Sequence, residues 1–380
     1  MSEAEAGAPP APRETPDLLG HEAAEGILLR ALNSGRLPHA WLLSGPRGIG
    51  KATLAYRCAR FLLAGKAGAG QGPDLFGETP APPTSLYLEP EHEVFRRVAA
   101  GGHADLRSLE IGRDPRSGRP RREILVEDVR EIGHFLRMTA AEGGWRVVVV
   151  DAVDSLNRNA ANALLKVLEE PPAGALLLLV SHAPGGLLAT VRSRCCQLPM
   201  APLPEATVAA LLERHAPGLA SDERAALAGL SEGSIGRALE LAEIGGLELY
   251  GELLGVLEGL PRLDVAKVHA LGDRLGRAGG EAAFRAGMEL LLWWLARLIR
   301  SGAEGAGADG TGSGGVGSGE VLAGEGALMA RLLAPRGLAR WLPLWDKITR
   351  LAAQADAVNL DRKQVVITAF LELETAAAGT

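Results

Sequence analysis

The sequence predicts an α/β core built on a parallel sheet to about residue 200, with an all-helical region after it. Three observations lead there. Apolar runs of strand length alternate with helical periodicity as far as "APLPE" (Ala201–Glu205), and beyond it the strand signal stops. Two of those runs, "RVVVVD" (Arg146–Asp151) and "GALLLLVS" (Gly174–Ser181), are almost wholly apolar, as central parallel strands buried on both faces are. A third, "AWLLS" (Ala40–Ser44), runs straight into "GPRGIGK" (Gly45–Lys51), a glycine-rich turn that opens a helix. Strand, glycine turn and helix are the local setting of a phosphate-binding loop.

Taken in order, residues 1–16 are acidic and rich in Pro and Ala, and are expected to be a disordered leader. Leu18 to Ser34 has helical periodicity, and the strand Ala40–Ser44 follows. The helix after the glycine turn carries Leu54, Cys58, Phe61 and Leu62 at helical spacing. Ala67 to Ser85 is aperiodic and rich in Gly and Pro, a loop or linker. A strand is expected near Leu106–Ile111, and "EILVEDVREIGHFLRM" reads as a strand end entering an amphipathic helix. After the strand Arg146–Asp151, a helix over Asn159–Glu169 is stopped by the prolines of "EEPP". Past Ser181, "LLATVRSRC" leads out of the last buried strand. Short helices are expected over Ala206–His215, Asp222–Leu230 and Ser234–Glu243, and longer ones from there to the end. Residues 301–320 include nine glycines, so a flexible insertion over 301–325 is expected within the final helical region.

A chain of 380 residues with 47% hydrophobic and 23% charged residues has enough apolar side chains for a globular fold of two or three domains. Its net charge of −6 confines any nucleic-acid contact to a local patch. The three cysteines are Cys58 and the neighbours Cys195 and Cys196, which offer no C-x-x-C pair, so zinc is not expected and a reducing compartment is. No apolar h-region opens the chain, and "MELLLWWLARLIRS" is interrupted by Glu289, Arg297 and Arg300. A cytoplasmic protein without membrane contact is expected.

The chemistry of the glycine turn is incomplete. In a working phosphate loop, backbone N–H groups surround the phosphates, the lysine reaches the β and γ oxygens, and the next Ser or Thr hydroxyl ligates magnesium. Gly45, Gly48, Gly50 and Lys51 keep the anion-holding part, but the next residue is Ala52. Thr53 stands one position late, and one step along a helix turns a side chain by about 100°. The strand Arg146–Asp151 ends in the acid that would face magnesium, yet the following position, where a Glu would orient water, is Ala152. Asp154 is either a displaced substitute or an acid at a helix start. The pattern therefore favours weak ATP binding without efficient hydrolysis.

These pieces together with "LLKVLEEPP", "RSRC" and "NLDRKQVV" resemble the bacterial clamp-loader members of the AAA+ family, well over the first 240 residues and thinly after them. The resemblance implies an AAA+ P-loop core over 17–202, a small helical lid over 203–245 and a helical collar over 246–380. Carried onto this sequence, it makes Ser181 the sensor-1 residue and Arg237 in "GSIGRAL" the sensor-2 residue. Arg194, with Ser193 and Cys195, becomes an arginine finger acting on a neighbour's nucleotide, with no catalytic residue working in cis. The lost hydroxyl and lost Glu resemble the family's branch without motor activity. Its partners would be the tau/gamma and delta subunits of a hetero-pentamer, and through it a sliding clamp and primed DNA. Many relatives insert a four-cysteine zinc module after the P-loop helix, where this chain has a cysteine-free segment. An active tau/gamma-type motor is the rival reading, and a nucleotide kinase a third.

Other residues carry less. His39 in "RLPHA" and Cys58 suit structural roles. The five arginines from Arg113 to Arg122 suit a DNA phosphate backbone or a solvated hairpin tip. Trp293, Trp294, Trp341 and Trp345 suit a core or a subunit interface.

Overall fold

The computed structural model describes residues 10–65, 82–112, 121, 123–142, 144–277, 279–306, 320–334, 338–358 and 360–378. The expected features at Arg113–Arg122, at the centre of the glycine insertion and over most of Ala67–Ser85 therefore lie largely outside the described residues. The chain divides into two compact units, residues 1–207 with 234–236, and residues 208–233 with 237–380. The second unit takes in most of the stretch expected as a lid together with the whole of that expected as a collar.

The first unit is a five-stranded parallel sheet, β1 (Ala40–Ser44), β2 (Leu106–Glu110), β3 (Arg146–Asp151), β4 (Ala175–Ser181) and β5 (Cys196–Pro199), in the order β2-β3-β4-β1-β5. Side chains alternate between faces along each strand. Trp41, Leu43, Val147, Val149, Leu176 and Leu178 enter one core with α1 (Glu22–Asn33), α2 (Lys51–Leu63) and α3 (Glu93–Ala99). Leu42, Val148, Val150, Leu177 and Leu179 enter the other with α4 (Val126–Arg137), α5 (Arg158–Glu169) and the single-turn α6 (Ala189–Arg192). The unbroken apolar runs of β3 and β4 are thus a consequence of burial on both faces. Asn157 caps α5 by accepting from the Ala160 N–H at 2.9 Å, and Pro171 follows its end. Two elements carry too little pattern to be expected: α3, of seven residues, and β5, in which only Leu198 is buried.

The expected disordered leader needs correction. Residues 10–16 lie against α2, although 1–9 are outside the described residues. The fully buried Arg60 donates to the carbonyls of Arg13 and Thr15, both at 2.8 Å, and its guanidinium covers the Phe95 ring at 4.3 Å. Arg57 donates to the Pro16 carbonyl at 2.6 Å and pairs with Glu25 at 2.9 Å. Burial, and then the charge of Arg57, pulls the Arg60 guanidinium down to about 10. A polar, proline-rich segment has few apolar side chains to bury, but its backbone carbonyls satisfy two cations that α2 carries inside.

The second unit is helical among its described residues: the greater part of α7 (Glu205–His215), then α8 (Ser221–Leu230), α9 (Ile235–Glu243), α10 (Gly246–Leu257), α11 (Val265–Leu275), α12 (Glu281–Ala306), α13 (Glu325–Leu333), α14 (Trp341–Val358) and α15 (Arg362–Ala378). Trp294 and Trp341 are fully buried, Trp345 is half-buried, and Trp293 meets Tyr250 edge to face at 5.7 Å, so these residues build the core. The insertion expected over 301–325 is narrower than that, because 301–306 continue α12 and Glu325 is buried at the start of α13. Glu325 pairs with Arg297 at 2.7 Å, and Arg297 in turn covers the Trp293 ring at 4.7 Å. Sequence periodicity does not show a glutamate turned inward, since its partner lies 28 residues away.

Deleting residues 1–16 removes every carbonyl named for Arg60, along with the segment's packing against α2. The truncated chain is expected to unfold at lower denaturant concentration, by about 3 kcal/mol in chemical denaturation. An unchanged midpoint would mean the segment is only a leader.

Candidate functional site

In an open parallel α/β sheet, ligands collect outside the carboxyl ends of the strands. β1, β3 and β4 deliver their carboxyl ends together, with Ser44 in register with Ser181 and Asp151 with Val180. The glycine turn leaves β1 there. Gly45, Gly48 and Gly50 have φ of +151°, +74° and +103°, values that side-chain-bearing residues rarely adopt. At Gly45 a Cβ would stand 2.3 Å from the Met200 carbonyl oxygen, so glycine is required by space as well as by conformation. Gly50 is the N-cap of α2, whose first N–H groups and positive dipole end open onto the turn.

Lys51 is the first residue of α2 and is buried. Its ammonium donates to the Gly45 carbonyl at 2.7 Å and to that of Pro46. Burial pulls its pKa down to about 8, opposed by the charges of Asp151 and Asp154. Asp151 is pushed upward by its burial and then by Glu110, its register partner on β2. The site thus holds one lysine between two carboxylates at the mouth of a helix N-terminus, a geometry suited to a phosphate anion.

The two alanines are part of the core. Ala52 and Ala152 are buried, Ala52 within the cluster beneath α2, and neither side chain carries an oxygen. Thr53, one step along α2, is half-buried. Asp154 has a role that sequence alone did not indicate. It sits in a 3-10 turn (Val153–Ser155), accepts from the Ser181 hydroxyl at 2.8 Å, and also accepts from the backbone N–H groups of His182 and Ala183. It is therefore a clamp on the end of β4. Ser181 is completely buried, and its hydroxyl proton is committed to that carboxylate.

Arg194 lies at the opposite edge of the sheet. It precedes β5, whose first residue, Cys196, is in register with Trp41 near the start of β1. Four residues of strand separate Trp41 from Gly45, about 13 Å at roughly 3.3 Å per residue. The Arg194 guanidinium is bound at that far edge. It donates to the Thr190 carbonyl at 3.1 Å and pairs at 2.8 Å with Glu169, at the end of α5, where the chain turns towards the start of β4. Ser193 donates to the same Thr190 carbonyl at 3.2 Å, and Cys195 is buried with Val191 in the core beneath α5. Burial, then neighbouring Cys196, pushes the Cys195 thiol up to about 11. Burial alone pushes that of Cys58, fully inside α2's core, to about 12.

Of the residues singled out by sequence, the structure brings together Gly45, Gly48, Gly50, Lys51, Asp151 and Ser181, and sets Ser193, Arg194 and Cys195 apart from them. Arg237 belongs to the second unit, on α9, where it pairs with Glu232 at 3.6 Å. His39 is satisfied, its ring N–H donating to the Leu168 carbonyl at 3.2 Å. Among the described residues, no group of three or more His, Cys, Asp or Glu side chains is placed to hold a metal ion, and no helix is long and apolar enough to cross a membrane.

Residues 20–204 match the family described as "DNA polymerase III, delta subunit". Curated proteins similar to this chain include the DNA polymerase III subunit delta' of Pseudomonas aeruginosa, 38% identical over 59% of this chain and 61% of the relative. That of Escherichia coli is 35% identical over 56% and 57%. The E. coli tau subunit is 31% identical over 76% of this chain and 42% of its own length. The alignments therefore span about two fifths to three fifths of these relatives.

Of the three thiols, Cys58 and Cys195 are buried and Cys196 is exposed. A disulfide reagent is expected to titrate one thiol quickly in the native protein and all three after denaturation. Two fast thiols, or loss of the fast one on any substitution other than at Cys196, would contradict this packing.

Proposed function

We propose that this chain is the delta-prime-like subunit of a DNA polymerase III clamp loader, a stator that supplies Arg194 to a neighbouring subunit's nucleotide site. The observation that carries the reading is the position of Arg194. Its guanidinium is anchored at the sheet edge where strands begin, while the glycine turn is at the edge where they end, so it does not serve its own loop. An arginine aimed away from its own nucleotide site has its use in trans, where it stabilises charge developing on a transferring phosphoryl group.

Three further features support a passive loop. Ala52 offers no magnesium ligand, Ala152 no group to orient water, and the Ser181 hydroxyl is held by Asp154. In this reading the subunit keeps its neighbours in register while tau/gamma-type subunits hydrolyse ATP, open the sliding clamp and place it on primed DNA, with delta completing a hetero-pentamer. The loop itself binds ATP weakly. No zinc or other cofactor is part of the proposal.

The second reading is a tau/gamma-type motor, favoured by the longer alignment with tau, over 302 residues. Steady-state ATP hydrolysis separates the two. The isolated chain is expected to be inactive. In the complex reconstituted with clamp and primed DNA, Arg194→Ala is expected to lower turnover about tenfold or more while the complex still assembles. Brisk hydrolysis by the isolated chain would establish the motor and remove the stator.

The lysine gives a pH test of weak binding. An anion in the loop is bound by the protonated form of Lys51, whose pKa lies near 8. Affinity for a fluorescent ATP analogue is expected to be flat below about pH 8 and to fall above it as the ammonium loses its proton. Equal affinities at about pH 7 and pH 9 would exclude Lys51 as the anion's partner.

A further inference from the structure

Arg194 has five N–H donors on a planar fork, and its own chain uses the fork in two places. One nitrogen, Nη1, donates to the Thr190 carbonyl at 3.1 Å, and the other, Nη2, reaches a Glu169 oxygen at 2.8 Å. The first contact spans four residues and fixes only the root of the side chain. The second crosses from the turn after α6 to the end of α5 and sets the direction in which the fork points. The side chain remains about one-third exposed, so the donors left over are open to a second molecule.

The end of α5 is itself held. His39, immediately before β1, donates to the carbonyl of Leu168, the residue before Glu169, and Pro171 and Pro172 then stop the helix. Leu168 is buried beneath, in the same core as Val191 and Cys195 on either side of Ser193 and Arg194. Glu169 at the end of α5 and Arg194 in the turn between α6 and β5 therefore flank residues of one core, and neither end floats.

We infer that Glu169 is a positioning residue for the arginine finger, holding the Arg194 guanidinium in the orientation that a neighbouring nucleotide site meets. This rests on the trans role of Arg194 proposed above. A lone ion pair on a surface contributes little to stability. Its value here is orientational: a flexible arginine searches many rotamers, and a charged group held in place loses less freedom on reaching its transition-state position. Glu169 touches neither nucleotide nor reacting atoms, and it acts through Arg194.

The experiment is a double-substitution cycle on ATP turnover by the full complex with clamp and primed DNA, comparing wild type, Glu169→Gln, Glu169→Asp, Arg194→Ala and the Glu169→Gln/Arg194→Ala pair. Thermal unfolding and assembly of each variant are checked first. Glu169→Gln is expected to lower kcat about three- to tenfold, with KM for ATP within about twofold of wild type. Glu169→Asp, which keeps the charge on a shorter arm, should fall between. In the Arg194→Ala background, Glu169→Gln should change nothing further.

The outcomes are distinct. If Arg194→Ala slows the complex while Glu169→Gln leaves kcat at wild type, the positioning role is wrong and the finger stands. If Glu169→Gln slows turnover equally with and without Arg194, its effect is structural and the inference fails. If Arg194→Ala has no effect on turnover, the trans reading falls and the role of Glu169 falls with it.

Discussion

Parallel strands give a sheet two unlike edges, and this asymmetry decides what the first unit does with its charges. Every strand ends on one side, so the glycine turn after β1, the acid that ends β3 and the serine that ends β4 arrive at one place. Every strand begins on the other, where the end of α5 and the approach to β5 bring Glu169 and Arg194 together. Close packing of the central strands between two apolar layers holds that arrangement in place. One cluster of charged groups is thereby set at the carboxyl ends of the strands and another at their amino ends.

At the loop edge the backbone turn is complete, while the residues after Lys51 and after Asp151 have no side-chain oxygen. Three positive-φ glycines and a buried lysine still form a cradle for an anion. The positions after Lys51 and after Asp151 are occupied by methyl groups absorbed into the core, and Asp154 holds the Ser181 hydroxyl. Two alanines and one internal hydrogen bond therefore stand at the positions that the proposed passive role turns on. The glycine geometry also joins β1 to α2, where the Met200 carbonyl leaves no room for a side chain at Gly45.

Much of the core was legible in the sequence because its signals are local. Apolar runs mark β1, β3 and β4 to the residue or nearly so, and a glycine turn between a strand and a helix locates the cradle. The interactions that escaped notice join residues far apart along the chain. Asp154 meets Ser181 across 27 residues, Arg60 meets Arg13 across 47, and neither β5 nor α3 is long enough to show a period. Arg60 and Glu325 run against pattern altogether, being charged side chains turned inward on helices whose periodicity marks other positions as the buried ones. The arginine of "RSRC" could be picked out by type, but its partner Glu169 becomes visible only when α5 and α6 are folded onto one core.

The neighbouring cysteines have unlike fates: Cys195 anchors its turn in the core, while Cys196 begins β5 with an exposed sulfur two residues from Arg194. A sulfur in that place is a native attachment point for an environment-sensitive dye. Fluorescence from a label there would report changes in solvation beside the guanidinium without any engineered handle, so the arrival of a second subunit at that edge could be timed directly by mixing experiments.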